Sequence, residues 1–306
     1  MAHKSVLLDE AVEQLVVDPA GVYVDGTFGR GGHTRKILQL LSTQGQVWVF
    51  DKDPAAIEVA SALAKEDDRV HVVHDSFANM HSVLETADLL GKVAGVLMDL
   101  GVSSPQLDEA DRGFSFMRDG PLDMRMDDSS GPSAKDWIAN TEEADMVRVF
   151  REFGEERFAR RIAKAIVEAR TASPITRTVQ LADIVADAVP RREPGKHPAT
   201  RVFQAIRIVV NRELEDLKVA LTSSKAVLMS GGRLAVISFH SLEDRLVKRF
   251  IQHAVQGNAA PRGLPVTEDL RGEEFRWVVK KKKPTELETT DNPRARSAIL
   301  RVAEKR

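Results

Sequence analysis

The chain contains no cysteine. That excludes a disulfide framework, a thiolate metal site and a cysteine nucleophile. No apolar run approaches the ~20 residues needed to cross a bilayer. The opening stretch "MAHKSVLLDEAVEQL" is acidic and amphipathic and has no signal-peptide core, so a soluble cytoplasmic protein with no membrane partner is expected. Metal-ligating spacings such as H-E-x-x-H are missing, and no metal is expected. A G-x-S-x-G elbow is missing too, which leaves a hydrolase without its nucleophile. A phosphate-gripping G-x-x-x-x-G-K-[ST] is also lacking. Gly26 and Gly31 have its spacing, but Gly32 and His33 stand where Lys and Ser/Thr belong.

What is present is a chain of 306 residues, 42% hydrophobic, enough for one large domain or two smaller ones. The net charge of −2 hides an asymmetry. Residues 1–147 carry a net −14 and residues 214–275 are balanced, while residues 148–213 and 276–306 each carry +6. Two separate basic stretches on an otherwise acidic or neutral chain suit an anionic partner, or else two solvated faces.

Short β-branched runs alternate with helical patterns in the first third: "GVYVDGT", "QVWVFDKD", "VHVVHDSF" and "VAGVLMDLG" read as strands. Alternation at this interval implies right-handed βαβ crossovers and a parallel sheet. The fourth run is apolar enough to be buried on both faces. From 104 to 213 there is no convincing strand. A long Gly/Pro/Asp/Ser-rich loop leads into helical periodicity over "AKDWIANTEEADMVRVFREFGEERFARRIAKAIVEARTA", "TVQLADIVADAV" and "TRVFQAIRIVVNRELEDLKVALTSSKAVL". The sheet resumes with "GGRLAVISFHS", and "FRWVVKKKK" and "SAILRVAEK" are its last two strands.

The segment "VYVDGTFGRGGHTRKIL" (22–38) joins a strand to a helix through a glycine-rich turn. Glycines 29, 31 and 32 allow close backbone approach, and the helix start offers free N–H groups, as a nucleotide-type ligand requires. The pattern D-x-T-x-G-x-G-G resembles the first motif of S-adenosylmethionine-dependent methyltransferases. Asp51 closes the second strand, 19 residues after Gly32, where an acid accepts both ribose hydroxyls of an adenosine. It competes there with helix capping, which Asp53 before Pro54 fits better. Phe77 follows the third strand and suits either an adenine ring or the core. Asp99 closes the fourth, where such sheets present their ligand crevice, and can hold a ligand's amino group or a substrate amine. His240 follows the fifth strand, facing either substrate or RNA, or capping the next helix with Ser241. "KKKKP" and "NPRARSA" supply closely spaced cations for phosphate contacts.

Together "DGTFGRGGHTRKIL", "DLGVSSPQLDEADRGFSFMRDGPLDMRMD", "HPATRVFQAIRIVVNREL", "SFHSLEDR" and "NPRARSA" closely resemble the bacterial ribosomal RNA small subunit methyltransferase H family, over nearly the full length. The resemblance implies an α/β fold: a Rossmann-like methyltransferase sheet (1–107 and 214–306) with an all-helical insertion (108–213) that recognises RNA. It implies S-adenosyl-L-methionine as cofactor, held by Gly31, Gly32, His33, Asp51, Phe77, Asp99 and Gln106. The implied reaction is methylation of the N4 amine of a cytidine in 16S rRNA of the small ribosomal subunit. Asp99, with Ser103 and Ser104 of the "GVSSP" turn, is the expected amine-handling group, although the family pattern also assigns Asp99 to the cofactor. Lys281, Lys282, Lys283, Arg294, Arg296, Arg201 and His240 are the expected RNA contacts, and Phe114 or Phe116 is a candidate to stack on the flipped base. Two rivals share parts of this pattern: a nicotinamide-dependent dehydrogenase, and a non-enzymatic ribosome-assembly factor. Monomer and homodimer both stay open.

Overall fold

The computed structural model of the protein describes residues 5–191, 195, 197–257, 272 and 274–306. The chain forms two compact units, one from the residues up to Gly101 with those from Leu214 onward, the other Val102–Glu213. The expected insertion began six residues later, after the turn "VSSPQL".

Seven strands make the sheet of the first unit: β1 (Val22–Asp25), β2 (Gln46–Asp51), β3 (Val70–His74), β4 (Val93–Asp99), β5 (Leu228–Ser238), β6 (Phe275–Lys282) and β7 (Ile299–Lys305). Their order is β3-β2-β1-β4-β5-β7-β6. Strands β1 to β5 are mutually parallel, and β7 runs antiparallel to both β5 and β6. A dinucleotide-binding dehydrogenase sheet would continue in parallel into a second half. The reversed β7 breaks that pattern.

The sheet is buried on both faces with a period of two, as a covered parallel sheet requires. Tyr23, Val47, Val49, Leu97, Ala235 and Ile237 face one core, under helices α1 (Leu8–Leu15), α2 (Gly32–Leu40) and α3 (Pro54–Glu66). Val24, Phe50, Val96, Met98, Leu234 and Val236 face the other. That second core includes residues of α4 (Met80–Thr86), α11 (Glu213–Val227) and α12 (Ser241–Gln256). β4 lies at the centre of the sheet, and six of its seven residues are buried, which is why its sequence reads as one apolar run.

Register then decides which side chains reach the crevice edge. Asp25 pairs with Val49 and Leu97, so Asp51 and Asp99, two residues further along, stand in one row. The row continues from Asp99 through Ile237 and Leu300 to Lys282. With strands spaced about 4.8 Å apart, Lys282 lies about 15 Å along the same edge from Asp99. Because β7 is reversed, the end of β6 and the start of β7 share this edge. Helix α13 (Glu286–Asp291) and a 3₁₀ turn at Pro293–Ser297 connect them.

The second unit is helical: α5 (Ser104–Asp108), α6 (Ala134–Asn140), α7 (Glu143–Glu152), α8 (Ala159–Ala172), α9 (Thr178–Ala188) and α10 (Thr200–Asn211). The long helical reading of 134–172 resolves into three helices. Ser133 and Asp136 close a capping box at the start of α6, and Glu155 takes a left-handed φ of 50° between α7 and α8. The reading across 200–227 also breaks, at Arg212, whose φ of 55° ends α10. The Gly/Pro-rich stretch 109–133 is a packed loop. Leu122 and Met124 are buried, and the Asn211 amide accepts from Met126 N–H and donates to Met124 C=O, each at 2.7 Å. A Cβ on Gly120 would fall 1.9 Å from the Ala110 carbonyl and one on Gly113 2.3 Å from the Pro121 carbonyl, so packing selects glycine at these two positions.

Replacing Asn211 by alanine strands a backbone donor and an acceptor inside this unit. Asn211→Ala is expected to lower stability by about 2–3 kcal/mol, read as a reduced urea midpoint at unchanged slope. A midpoint equal to wild type would show that the loop does not depend on this side chain.

Candidate active site

The turn after β1 is tied to neighbouring strand ends by several hydrogen bonds. Gly26 N–H donates to Leu97 C=O at 2.8 Å and Phe28 N–H to Phe50 C=O at 3.0 Å, so the turn lies across the ends of β4 and β2. Thr27 Oγ1 accepts from Asp99 N–H at 2.7 Å. Gly29 N–H donates to Asp51 Oδ2 at 2.7 Å. Gly31, the residue before α2, has a φ of 77°, and a Cβ there would come within 2.7 Å of the Phe28 ring. Left-handed backbone and ring contact both select glycine at this position. At Gly32 a Cβ would meet Ser5 Oγ at 1.9 Å. Gly31 and Gly32 thus serve internal packing, a demand the sequence pattern did not reveal.

Three acids close β1, β2 and β4. Asp25 is buried, with Oδ1 accepting from Thr27 N–H at 3.1 Å and Oδ2 from the Thr34 hydroxyl at 2.6 Å. Burial pushes its pKa up to about 6 against those hydrogen bonds, and the Asp51 charge adds to the rise. Asp51 accepts at Oδ2 from Gly29 and at Oδ1 from Asp53 N–H, 2.9 Å away. Its pKa is also raised, by burial first, with backbone hydrogen bonds opposing. Asp99 is held well above the usual carboxylate range by burial, then by the charges of Asp25 and Glu243. Its Oδ1 is shielded from solvent and has no hydrogen-bond partner among the described residues. Asp53 caps α3, accepting from Ala55 N–H at 3.0 Å, which leaves Asp51 free of that task.

His33 is buried at the start of α2. Its Nε2 lies 3.2 Å from the Val6 carbonyl, which makes Nε2 the protonated nitrogen, and Nδ1 faces Asp99 Oδ2 at 3.7 Å. Phe77 opens a 3₁₀ turn capped by Ser76, whose Oγ accepts from Ala78 N–H at 3.2 Å. The ring is half-buried against the second core. His240 precedes α12, with its Nε2 3.1 Å from Glu243 Oε1. Glu243, which the sequence reading did not single out, is buried, and its Oε2 accepts from Phe239 N–H at 2.8 Å. The cap pairs His240 with Glu243, whereas the S-L-E-D string by its spacing would pair Ser241 with Asp244. Lys281, Lys282 and Lys283 are exposed at the end of β6, and Arg294 and Arg296 are exposed before β7.

The remaining candidates belong to the helical unit. Ser103 caps α5, and its N–H donates to Gln106 Oε1 at 2.9 Å, closing a capping box in which Gln106 is buried. Ser104 is the first residue of α5, and Arg201 lies half-exposed on α10. Phe114 is a core residue of this unit, so the candidate stacking role does not suit it. Phe116 is half-buried, its ring 4.6 Å from His197 and 4.8 Å from Phe203.

An acid-rich edge with an unpartnered carboxyl oxygen fits a cationic ligand, because a nearby positive charge stabilises carboxylates that burial destabilises. S-adenosyl-L-methionine carries two such centres, a sulfonium and an ammonium, and its ribose matches a strand-end acid. The strand order and this edge define a Rossmann-like methyltransferase domain.

The sequence matches the MraW methylase family across residues 1–306, and the chain belongs to that family. It is 55% identical, over 305 residues, to the ribosomal RNA small subunit methyltransferase H of Alteromonas mediterranea, covering 99% of this chain and 97% of that one. Solved structures it resembles include a putative rRNA-methylase from Clostridium thermocellum, at 14% identity and a TM-score of 0.44, covering 100% of this chain and 98% of that one. Another is a putative methyltransferase from Streptococcus mutans in complex with SAH, at 13% identity and a TM-score of 0.39, covering 99% of each chain. Both structural likenesses are too loose to bear on function. The chain is an S-adenosyl-L-methionine-dependent methyltransferase.

The raised pKa of Asp25 means that the folded protein binds its proton more tightly than the unfolded chain does. The associated stability is present at low pH and is lost as pH rises from about 4 to about 6. Relative to Asp25→Asn, the wild type is expected to lose on the order of 3 kcal/mol across that window, measured by urea unfolding at stepped pH. Parallel curves for the two proteins would place the titration elsewhere.

Proposed function

We propose that this chain methylates the N4 amine of a cytidine in 16S rRNA of the small ribosomal subunit, in the cytoplasm. The observation that carries the proposal is the shared row of Asp51, Asp99 and Lys282 at one sheet edge, which lines up donor-type acids with a phosphate-type cation. The relative's name and the five sequence strings support the RNA and the base. No helix among the described residues is long and apolar enough to cross a membrane.

When bound, S-adenosyl-L-methionine supplies an activated methyl group on sulfur. Asp51 accepts the ribose hydroxyls with the lone pairs that Gly29 and Asp53 leave free. Phe77 would lie against the adenine, and the Gly31–Gly32–His33 turn would complete the sheet unit's part of the binding set. The cytosine amine is a poor nucleophile because its lone pair is delocalised into the ring. Asp99, whose Oδ1 has no partner among the described residues, would accept a hydrogen bond from that amine and localise the lone pair. A nearby sulfonium favours the ionised carboxylate, which would take the proton that the amine releases. The residues of the site would contribute further by holding the amine close to the donor's methyl group. The exposed cations Lys281, Lys282, Lys283, Arg294 and Arg296, with Arg201 and His240, hold the RNA backbone.

Incubating unmodified small subunits with labelled donor is expected to put label into N4-methylcytidine on nucleoside analysis. RNA that binds but stays unlabelled would favour an assembly factor without catalysis. Lys281→Glu combined with Lys282→Glu is expected to weaken RNA binding and flatten its dependence on salt by about two counterions. An unchanged slope would remove this strand end from the RNA footprint.

A further inference from the structure

One buried polar cluster beside the crevice has no part in the roles above. Asp216 lies on α11, where Leu217, Ala220 and Leu221 sink into the second core. That packing fixes the position of its carboxylate. Asp216 is 8% exposed, and a single oxygen, Oδ2, accepts from Lys52 Nζ at 2.5 Å and from Ser76 Oγ at 2.7 Å. Lys52 is the residue after Asp51, and Ser76 is the residue before Phe77. The cluster therefore joins the turn after β2 to the turn after β3, one residue from each proposed adenosine contact.

Each bond restricts a neighbour. Ser76 donates its hydroxyl hydrogen to Asp216 and so keeps a lone pair aimed at Ala78 N–H, the bond that caps the turn bearing Phe77. Without the acceptor the hydroxyl is a free rotor with three wells. The Lys52 ammonium anchors its own backbone, whose carbonyl lies 3.2 Å from His74 Nε2 on the neighbouring strand. Asp51 in turn holds Gly29 through Oδ2. A buried ion pair contributes little net stability against apolar replacement, because desolvation offsets the attraction. What it contributes is one geometry, and charge-assisted bonds set that geometry most tightly.

We propose that Asp216 is a positioning residue for the donor site, holding the turns that carry Asp51 and Phe77 at the spacing an adenosine needs. The inference rests on the proposed roles of those two residues. Calorimetric titration with S-adenosylhomocysteine and with methylthioadenosine, which lacks the amino-acid end, separates the possibilities. Asp216→Asn is expected to raise Kd about tenfold for both ligands, with kcat at saturating donor nearly unchanged. Lys52→Met should act in the same direction, and the double variant should bind no worse than Asp216→Asn alone. Ser76→Ala, which removes only the hydroxyl, should raise Kd for both ligands about threefold. A lower melting temperature or active fraction with unchanged Kd, in either Asp216→Asn or Ser76→Ala, would reduce the cluster to a structural role and overturn the inference. Loss confined to S-adenosylhomocysteine would also overturn it, by moving the effect to the amino-acid end. Asp51→Ala is the control for the underlying reading. If it binds both ligands normally, the adenosine assignment fails and the inference fails with it. If it loses both while Asp216→Asn does not, only the inference fails.

Discussion

The bond from Gly29 N–H to Asp51 and the bond from Asp99 N–H to Thr27 tie the β1 turn to two neighbouring strand ends. The rest of the site depends on this stitching. A glycine-rich turn left to itself has many conformations, and each residue fixed in one costs about 1–2 kcal/mol of entropy. Here strand ends that the buried core already holds set the turn's shape. The same bonds bring three carboxyl groups into a poorly solvated edge, where they repel one another and their proton affinities rise. A cationic ligand at this edge would relieve that electrostatic tension.

The reversed β7 has a second consequence. In an all-parallel continuation, the segment after β6 would leave from the crevice edge and return at the opposite edge. Reversal keeps the whole connection from residue 283 to 298 at the crevice edge. "KKKKP" and "NPRARSA" thereby become one basic border beside the acids. Ordering charge of opposite sign along one edge suits a reaction between a cationic donor and a polyanion.

Inside the helical unit, the loop rich in Gly, Pro and Asp is tied down by side-chain hydrogen bonds. Arg112 donates to the Arg125 and Met126 carbonyls, and Asn211 bridges Met124 and Met126. A segment whose composition reads as a long loop thus contributes buried residues, Phe114, Leu122 and Met124, to the unit's core. Its phenylalanines divide accordingly, Phe114 into the core and Phe116 against His197 and Phe203.

Periodicity in the sequence determined the parallel sheet, its two buried faces and the helical insertion, because local hydrophobic spacing reports directly which faces avoid water. Strand-end acids were legible too, since polar residues closing apolar runs must lie at a sheet edge. Tertiary structure alone decided the sheet order, the shared row of Asp51, Asp99 and Lys282, the division of one helical pattern into α6, α7 and α8, and the packing reason for Gly31 and Gly32. Asp216 is the clearest case. Its partners Lys52 and Ser76 are 164 and 140 residues away in sequence, and no local pattern encodes a contact that only the closing of the sheet brings about.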